Sequence, residues 1–293
     1  PMGLCDEVRD HCARVAARAQ WVHIDAEALD AMQPAAALPP ALDAECHFLE
    51  GEAPDVATYL LILDAINFGS GWFPTLRKRP GRSGYFTIAG ALADRFRAEG
   101  PWTSAQLRAM RADELAAVLG QRADHELMAL YAQALRSLGA FLGERSALEL
   151  VAEAGRSAQR LAEMLAGGMA LFADRGFYKR AQITPADLAL AGVSAFDDLD
   201  ELTIFADNLV PHVLRCEGVL VYDGRLGAHI DAGRPLRPGP QEREIRACAV
   251  HACELLAARV GVPPRILDHW LWNRGQAPEF KARPRHRCRC VYY

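Results

Sequence analysis

The chain contains no apolar run approaching the roughly 18 residues of a membrane-crossing helix, so no transmembrane segment is expected. No basic stretch followed by an apolar one stands near its start, so no secretory signal is visible, and a cytoplasmic protein is the expectation. It has no excess of positive charge. Lysine and arginine number 33 against 37 aspartates and glutamates, for a net charge of -4, which argues against a broad nucleic-acid footprint. A small anionic ligand needs only one or two local cations and stays open. The eight cysteines are scattered, and Cys288-x-Cys290 has no second close pair to complete a zinc site. Reduced, mostly buried thiols are the expectation. P-loop, dinucleotide-binding, nucleophile-elbow and metalloprotease-helix motifs are also missing.

What is present is apolar and helical. Apolar residues make up 51% of 293, enough for a sizeable core, and the charged fraction of 24% is that of a folded protein. Leu4, Val8, Cys12 and Val15 recur at helical spacing. Residues 54–68 are apolar on more than one side and predict a central helix. Thr103-x-x-Gln106 predicts a capping box. Residues 125–142 and 146–166 carry a helical period, and Thr184-Pro185-Ala186-Asp187 predicts a helix start with proline in its first turn. From Pro240 a long helix is expected to bury Ile245, Ala249, Ala252 and Leu256, with Glu242 and Glu244 capping and solubilising it. Pro263-Pro264 opens a last helix carrying Asp268 and Trp272. Val219–Tyr222 reads as a short strand or a helix edge, residues 72–83 as an exposed basic loop, and 233–240 as a second loop. The expected class is all-α: one helical domain over residues 1–293, in one lobe or two.

The segment Phe205-Ala206-Asp207-Asn208-Leu209-Val210-Pro211 sets one carboxylate between an aromatic ring and a proline-marked helix start. Spacing leaves two readings of Asp207. It is a favoured N-cap type, and it is also an anion of the kind that stabilises a developing cation. Phe205 is a core ring or a stacking platform for a planar base. Lys179-Arg180 is a solvated pair or a phosphate clamp, with Lys179 a point charge and Arg180 a fork. Asp268 and Trp272 share a helical face, either as an amphipathic surface or as an acid beside an aromatic wall. His47 is structural or a site residue. Asp64, on an apolar helix, is expected to be a hydrogen-bonded anchor.

Taken together and in order, several segments resemble the queuosine salvage family, the queuosine 5′-phosphate N-glycosylase/hydrolases. They are Asp64-Ala65-Ile66-Asn67-Phe68 with Trp72, Ser83-Gly84-Tyr85, Ser157-Ala158-Gln159, Phe177-Tyr178-Lys179-Arg180-Ala181-Gln182 and Phe205-Ala206-Asp207 with Pro211. Gln241-Glu242-Arg243-Glu244-Ile245-Arg246, Leu267-Asp268 with Leu271-Trp272, and Arg289-Cys290-Val291-Tyr292-Tyr293 complete the set. The resemblance implies an all-α fold similar to helical DNA glycosylases. It implies hydrolysis of the N-glycosidic bond of queuosine 5′-monophosphate with release of queuine, and it calls for no metal or organic cofactor. It implies that His47, Phe205, Asp207, Asp268 and Trp272 line the pocket, with Asp207 facing the ribose. Asn273 stands there where eukaryotic members carry an acid. Lys179 and Arg180 are the cations expected at the phosphate. The competing readings are a base glycosylase acting on nucleic acid and a non-catalytic binder of the deazapurine nucleotide.

Overall fold

The structure, a computed structural model, describes residues 3–34 and 40–293. Among them are fifteen α-helices and one small antiparallel sheet, Val22–Ile24 paired with Leu220–Tyr222. The all-α expectation holds, and the 219–222 run is strand rather than helix edge. No helix among the described residues is long and apolar enough to cross a membrane.

The helix Ala53–Ala65 is central, as its two-sided apolar pattern predicts. Every residue from Tyr59 to Ala65 is buried. The helices Gly84–Glu99, Glu126–Leu142, Ala147–Glu153 and Lys179–Leu190 pack around it. Each fully buried leucine or isoleucine there contributes roughly 1.5–3 kcal/mol. After the helix, Gly69 takes a φ of 108°, open to glycine and strained for other residues. The reversal lets Gly69 N donate to Tyr293 O at 2.9 Å. Gly71 is needed for close approach, since a Cβ there would lie 2.3 Å from Cys288 O. These two glycines clamp the last residues of the chain against the end of the central helix.

The Thr103 capping box forms as read, with Gln106 N donating to Thr103 Oγ1 and Thr103 N to Gln106 Oε1. Three expectations are corrected. Residues 146–166 are two helices, Ala147–Glu153 and Ala158–Gly168, because Gly155 and Arg156 adopt positive φ and Ser157 caps the second. The helix expected to open at Thr184 opens at Lys179, with Pro185 inside it. Tyr178 precedes it in the left-handed conformation at φ 49°, which costs a non-glycine residue of order 1 kcal/mol.

Glu242 and Glu244 do not solubilise their helix; both are buried. Glu244 Oε1 accepts hydrogen bonds from Gln20 N, Trp21 N and Val22 N at 2.9, 2.6 and 2.8 Å, anchoring the first strand. Glu244→Ala orphans three amides together, so urea unfolding should show a loss of about 3 kcal/mol. Glu244→Gln, which keeps the acceptor oxygen, should lose about 1 kcal/mol.

Candidate active site

A cleft of about 760 Å³ opens where the start of the Leu209–Cys216 helix meets the Pro264–Arg274 helix, the Lys179–Leu190 helix and the C-terminal segment. His47, Lys179, Phe205, Asp207, Asp268, Trp272 and Asn273 all line it.

Asp207 caps its helix. Oδ1 accepts from Leu209 N at 2.7 Å and Val210 N at 3.0 Å. These are two of the amides that a helix start leaves without a partner, and the dipole there favours an anion. Oδ2 makes no hydrogen bond among the described residues, and the half-buried side chain faces the cleft. Capping therefore occupies one oxygen and leaves the other for chemistry.

The segment carrying Asp207 is held from both sides. Asp268 Oδ1 accepts from Phe205 N at 2.8 Å. Arg246 Nε donates to Ala206 O at 2.9 Å. Phe205 and Asp207 point into the cleft from a backbone pinned at each neighbour, which favours a fixed geometry over a mobile loop.

One wall is aromatic. Trp272 meets Tyr85 and Phe86 edge-on, with ring centroids 6.0 and 5.6 Å apart. His47 lies behind Tyr85. Its Nδ1–H donates to Asp43 O at 2.8 Å, which leaves Nε2 to accept from the Tyr85 hydroxyl at 2.8 Å. Burial lowers the His47 pKa, in keeping with the neutral ring that this network requires.

The floor is a charge cluster. Lys179 Nζ donates to Asn67 O and Asn67 Oδ1, both at 3.1 Å. Burial depresses its ammonium, and Asp207 is the first of the charges that pull the other way. Asp64, Asp187 and Asp268 surround the same lysine. Burial pushes Asp187 and Asp268 well above the carboxylate range, Asp64 adding to the first and Asp207 to the second, and it lifts Asp64 to about 7. One ammonium cannot sustain three fully buried anions, which is why all three carboxyls are raised. Asp64 is thus buried as expected, with Thr184, Asn67 and the Asp187 carboxyl beside its own carboxyl.

Arg180 lies outside the cleft. It donates to the carbonyls of Ala65, Leu171 and Val291 and stacks against Phe68 and Phe172. Its place as a phosphate fork is withdrawn, because the guanidinium is spent tying the central helix to the C-terminal segment. Other lining residues were not site candidates in the sequence reading, among them Tyr85, Asp187, His269 and Arg285. Tyr85 lies two residues after the Ser83 cap, and Asp187 lies two turns along the helix from Lys179; those two carried a local signal. Arg285 carried none.

Fold and site together define the class in structural terms: an all-α protein with a helix-capping carboxylate facing an aromatic-walled cleft. The chain belongs to a particular family within that class: the model of the queuosine salvage protein family matches residues 46–293. It is 34% identical over 309 aligned positions to the queuosine 5′-phosphate N-glycosylase/hydrolase of Sphaerobacter thermophilus, covering 96% of this chain and 95% of that one. It is 34% identical over 173 positions to the protein of that name from Mus musculus, covering 50% of this chain and 51% of the relative. With that of Dictyostelium discoideum it shares 37% over 134 positions, 40% of each chain.

Proposed function

We propose that this chain hydrolyses the N-glycosidic bond of queuosine 5′-monophosphate, freeing queuine. The observation that carries the reading is Asp207: an anion with one oxygen capping a helix and the other free in a cleft opposite an aromatic wall. The relatives that match the chain bear the name of this activity.

Cleavage of a ribosyl C–N bond builds positive charge on the sugar. The free oxygen of Asp207 stabilises that charge across the anomeric carbon, held in place by Leu209 N and Val210 N. The base lies along the wall of Phe205, Trp272 and Tyr85. A deazapurine lacks the ring nitrogen at which an ordinary purine is protonated as it departs, so hydrogen bonds to its other atoms must help it leave. Asp187, whose carboxyl burial holds well above the usual range, is an acid on the same cleft. A mass spectrum of the products from queuosine, its 5′-monophosphate and intact tRNA tests the reading. Free queuine from the monophosphate is expected, and its absence from all three reactions overturns the proposal.

Asp268 is the partner for the cationic amine of the queuosine side arm. Its pKa in the free protein is raised, so an ammonium binding beside it drives the proton off. Preference for the amine-bearing nucleotide over guanosine 5′-monophosphate should therefore grow as pH rises through that raised pKa and vanish well below it. Asp268→Asn keeps the acceptor for Phe205 N and removes the charge. Calorimetry should show the queuosine nucleotide losing roughly 10- to 100-fold in affinity, and the guanosine nucleotide little. Equal losses for both would remove Asp268 from this role.

A further inference from the structure

The aromatic wall of the cleft holds one hydroxyl whose proton has a single direction open to it. The carbonyl of Asp43 accepts from the amides of Cys46 and His47, at 3.0 and 2.9 Å, and from His47 Nδ1 at 2.8 Å. A carbonyl cannot donate, so Nδ1 carries the imidazole proton and the neutral ring is left with a bare Nε2. That nitrogen lies 2.8 Å from Tyr85 Oη and can only accept, so the tyrosine proton is committed to it. No other group among the described residues hydrogen-bonds to Tyr85 Oη. Tyr85 borders the cleft and is only partly buried. Toward anything bound there, its oxygen is an acceptor and not a donor.

The fold holds both partners. Ser83 Oγ accepts from Phe86 N at 3.2 Å and starts the Gly84–Glu99 helix, which sets Tyr85 in its first turn. Arg97, on the same helix, donates from Nη2 to His47 O at 2.9 Å and so ties the His47 loop to the helix that carries Tyr85. His47 is 2% exposed, which keeps water from competing for Nε2. Its ring meets Phe86 edge-on with centroids 6.3 Å apart, and Phe86 in turn meets Trp272. Burial, with Asp187 next, holds the Tyr85 phenol well above its usual range, so the oxygen stays that of a neutral hydroxyl.

We propose that Tyr85 is a specificity-determining residue: its oxygen accepts from the N–H edge of a guanine-type base, and His47 positions that acceptor by holding the hydroxyl proton. The inference rests on the proposed reaction for the place of the base along this wall. A guanine-type edge offers a ring N–H beside an exocyclic amine. An adenine-type edge puts a bare ring nitrogen next to its amine, and would set lone pair against lone pair at Tyr85 Oη. A site built around a fixed acceptor rejects an edge that cannot donate more strongly than apolar packing does. Tyr85 thus reads the ring of the base, while Asp268 reads the side arm.

The test is calorimetric titration of the intact protein with guanosine and with adenosine 5′-monophosphate. Both probes lack the side arm, so its pairing with Asp268 does not enter the ratio. The wild type should favour the guanosine nucleotide by roughly 10-fold. Tyr85→Phe keeps the ring against Trp272 and removes the acceptor; it should bring the ratio close to one through weaker binding of the guanosine nucleotide. His47→Phe leaves the tyrosine in place but frees its proton to turn toward the cleft, so the ratio should collapse with the adenosine nucleotide gaining. His47→Gln, whose side-chain carbonyl can take that proton, should keep most of the preference. Packing alone would weaken both nucleotides alike and leave the ratio untouched. No preference in the wild type, a wild-type ratio in Tyr85→Phe, or the same ratio in His47→Phe and His47→Gln would each overturn the inference; should His47→Phe not fold, the Tyr85→Phe ratio decides alone. Queuine release is read separately by mass. A wild type that discriminates between the nucleotides but releases no queuine disproves the reaction and leaves the recognition standing.

Discussion

Asp207→Asn should leave the protein folded and reduce queuine release by about 10³-fold. The substitution separates the two roles that the sequence left open. Asparagine keeps a carbonyl oxygen where Oδ1 accepts from Leu209 N and Val210 N, and it caps helices about as well as aspartate. Stability should therefore change by only a few tenths of a kcal/mol. What disappears is the negative charge on the oxygen facing the cleft, and with it the stabilisation of a cationic sugar. Asp207→Ala removes cap and charge together. It should add about 1 kcal/mol of destabilisation to the same catalytic loss. Turnover by the mass of released queuine and unfolding in urea give the two readings independently. An asparagine variant that turns over near the wild-type rate would reduce Asp207 to a cap, and the proposed mechanism would fail with it.

The part of the site that was legible in the sequence is the part with local causes. A short polar residue ahead of a proline-bearing helix start announces a cap whatever surrounds it, and Asp207 is one. The two-sided apolar pattern of the central helix could be satisfied only by burial on all sides. The Thr103 box is complete within four residues. The failures have distant causes. Lys179 and Arg180 are adjacent and alike in sequence, yet one faces the cleft and the other is buried under the C-terminal segment; helical rotation between neighbours and contacts more than a hundred residues away decide which. Glu244 looked like a solvated first-turn acid because its three partners lie at residues 20–22. Pro185 marked a helix start only if nothing upstream held the helix, and the left-handed Tyr178 begins it earlier. Arg285 and Arg287 reach the cleft on a C-terminal segment that Gly69 and Gly71, over two hundred residues earlier in the chain, hold against the central helix.

The largest loss of stability is expected at Asp174. Arg246 is buried, and Asp174 meets it in a two-point contact, Oδ2 with Nη2 at 2.5 Å and Oδ1 with Nη1 at 3.2 Å. Glu242 is 3.4 Å from Nη1, and the rings of Phe177 and Tyr293 lie against the guanidinium at 4.0 and 4.5 Å. Burial works against the charge; Asp174 and then Glu242 more than offset it, holding Arg246 above the usual range. Such a cluster is weak evidence of net stabilisation when whole, since desolvation cancels much of the attraction, but removal of one partner leaves a buried charge uncompensated. Asp174→Ala should therefore cost about 3–5 kcal/mol in urea unfolding. Arg246→Met removes the cation and leaves two acids free to protonate, so the double variant should lose clearly less than the sum of the singles, with a coupling of about 2 kcal/mol. The same substitution also reaches the site. Arg246 Nε holds Ala206 O, so Arg246→Met releases one of the two pins on the Phe205–Asp207 segment. Its folded fraction should turn over more slowly, with most of the loss in kcat, because misplacement of Asp207 weakens the transition state more than the bound nucleotide. Additive losses in the double variant, or full turnover by folded Arg246→Met, would show that the cluster neither couples as a unit nor positions the carboxylate.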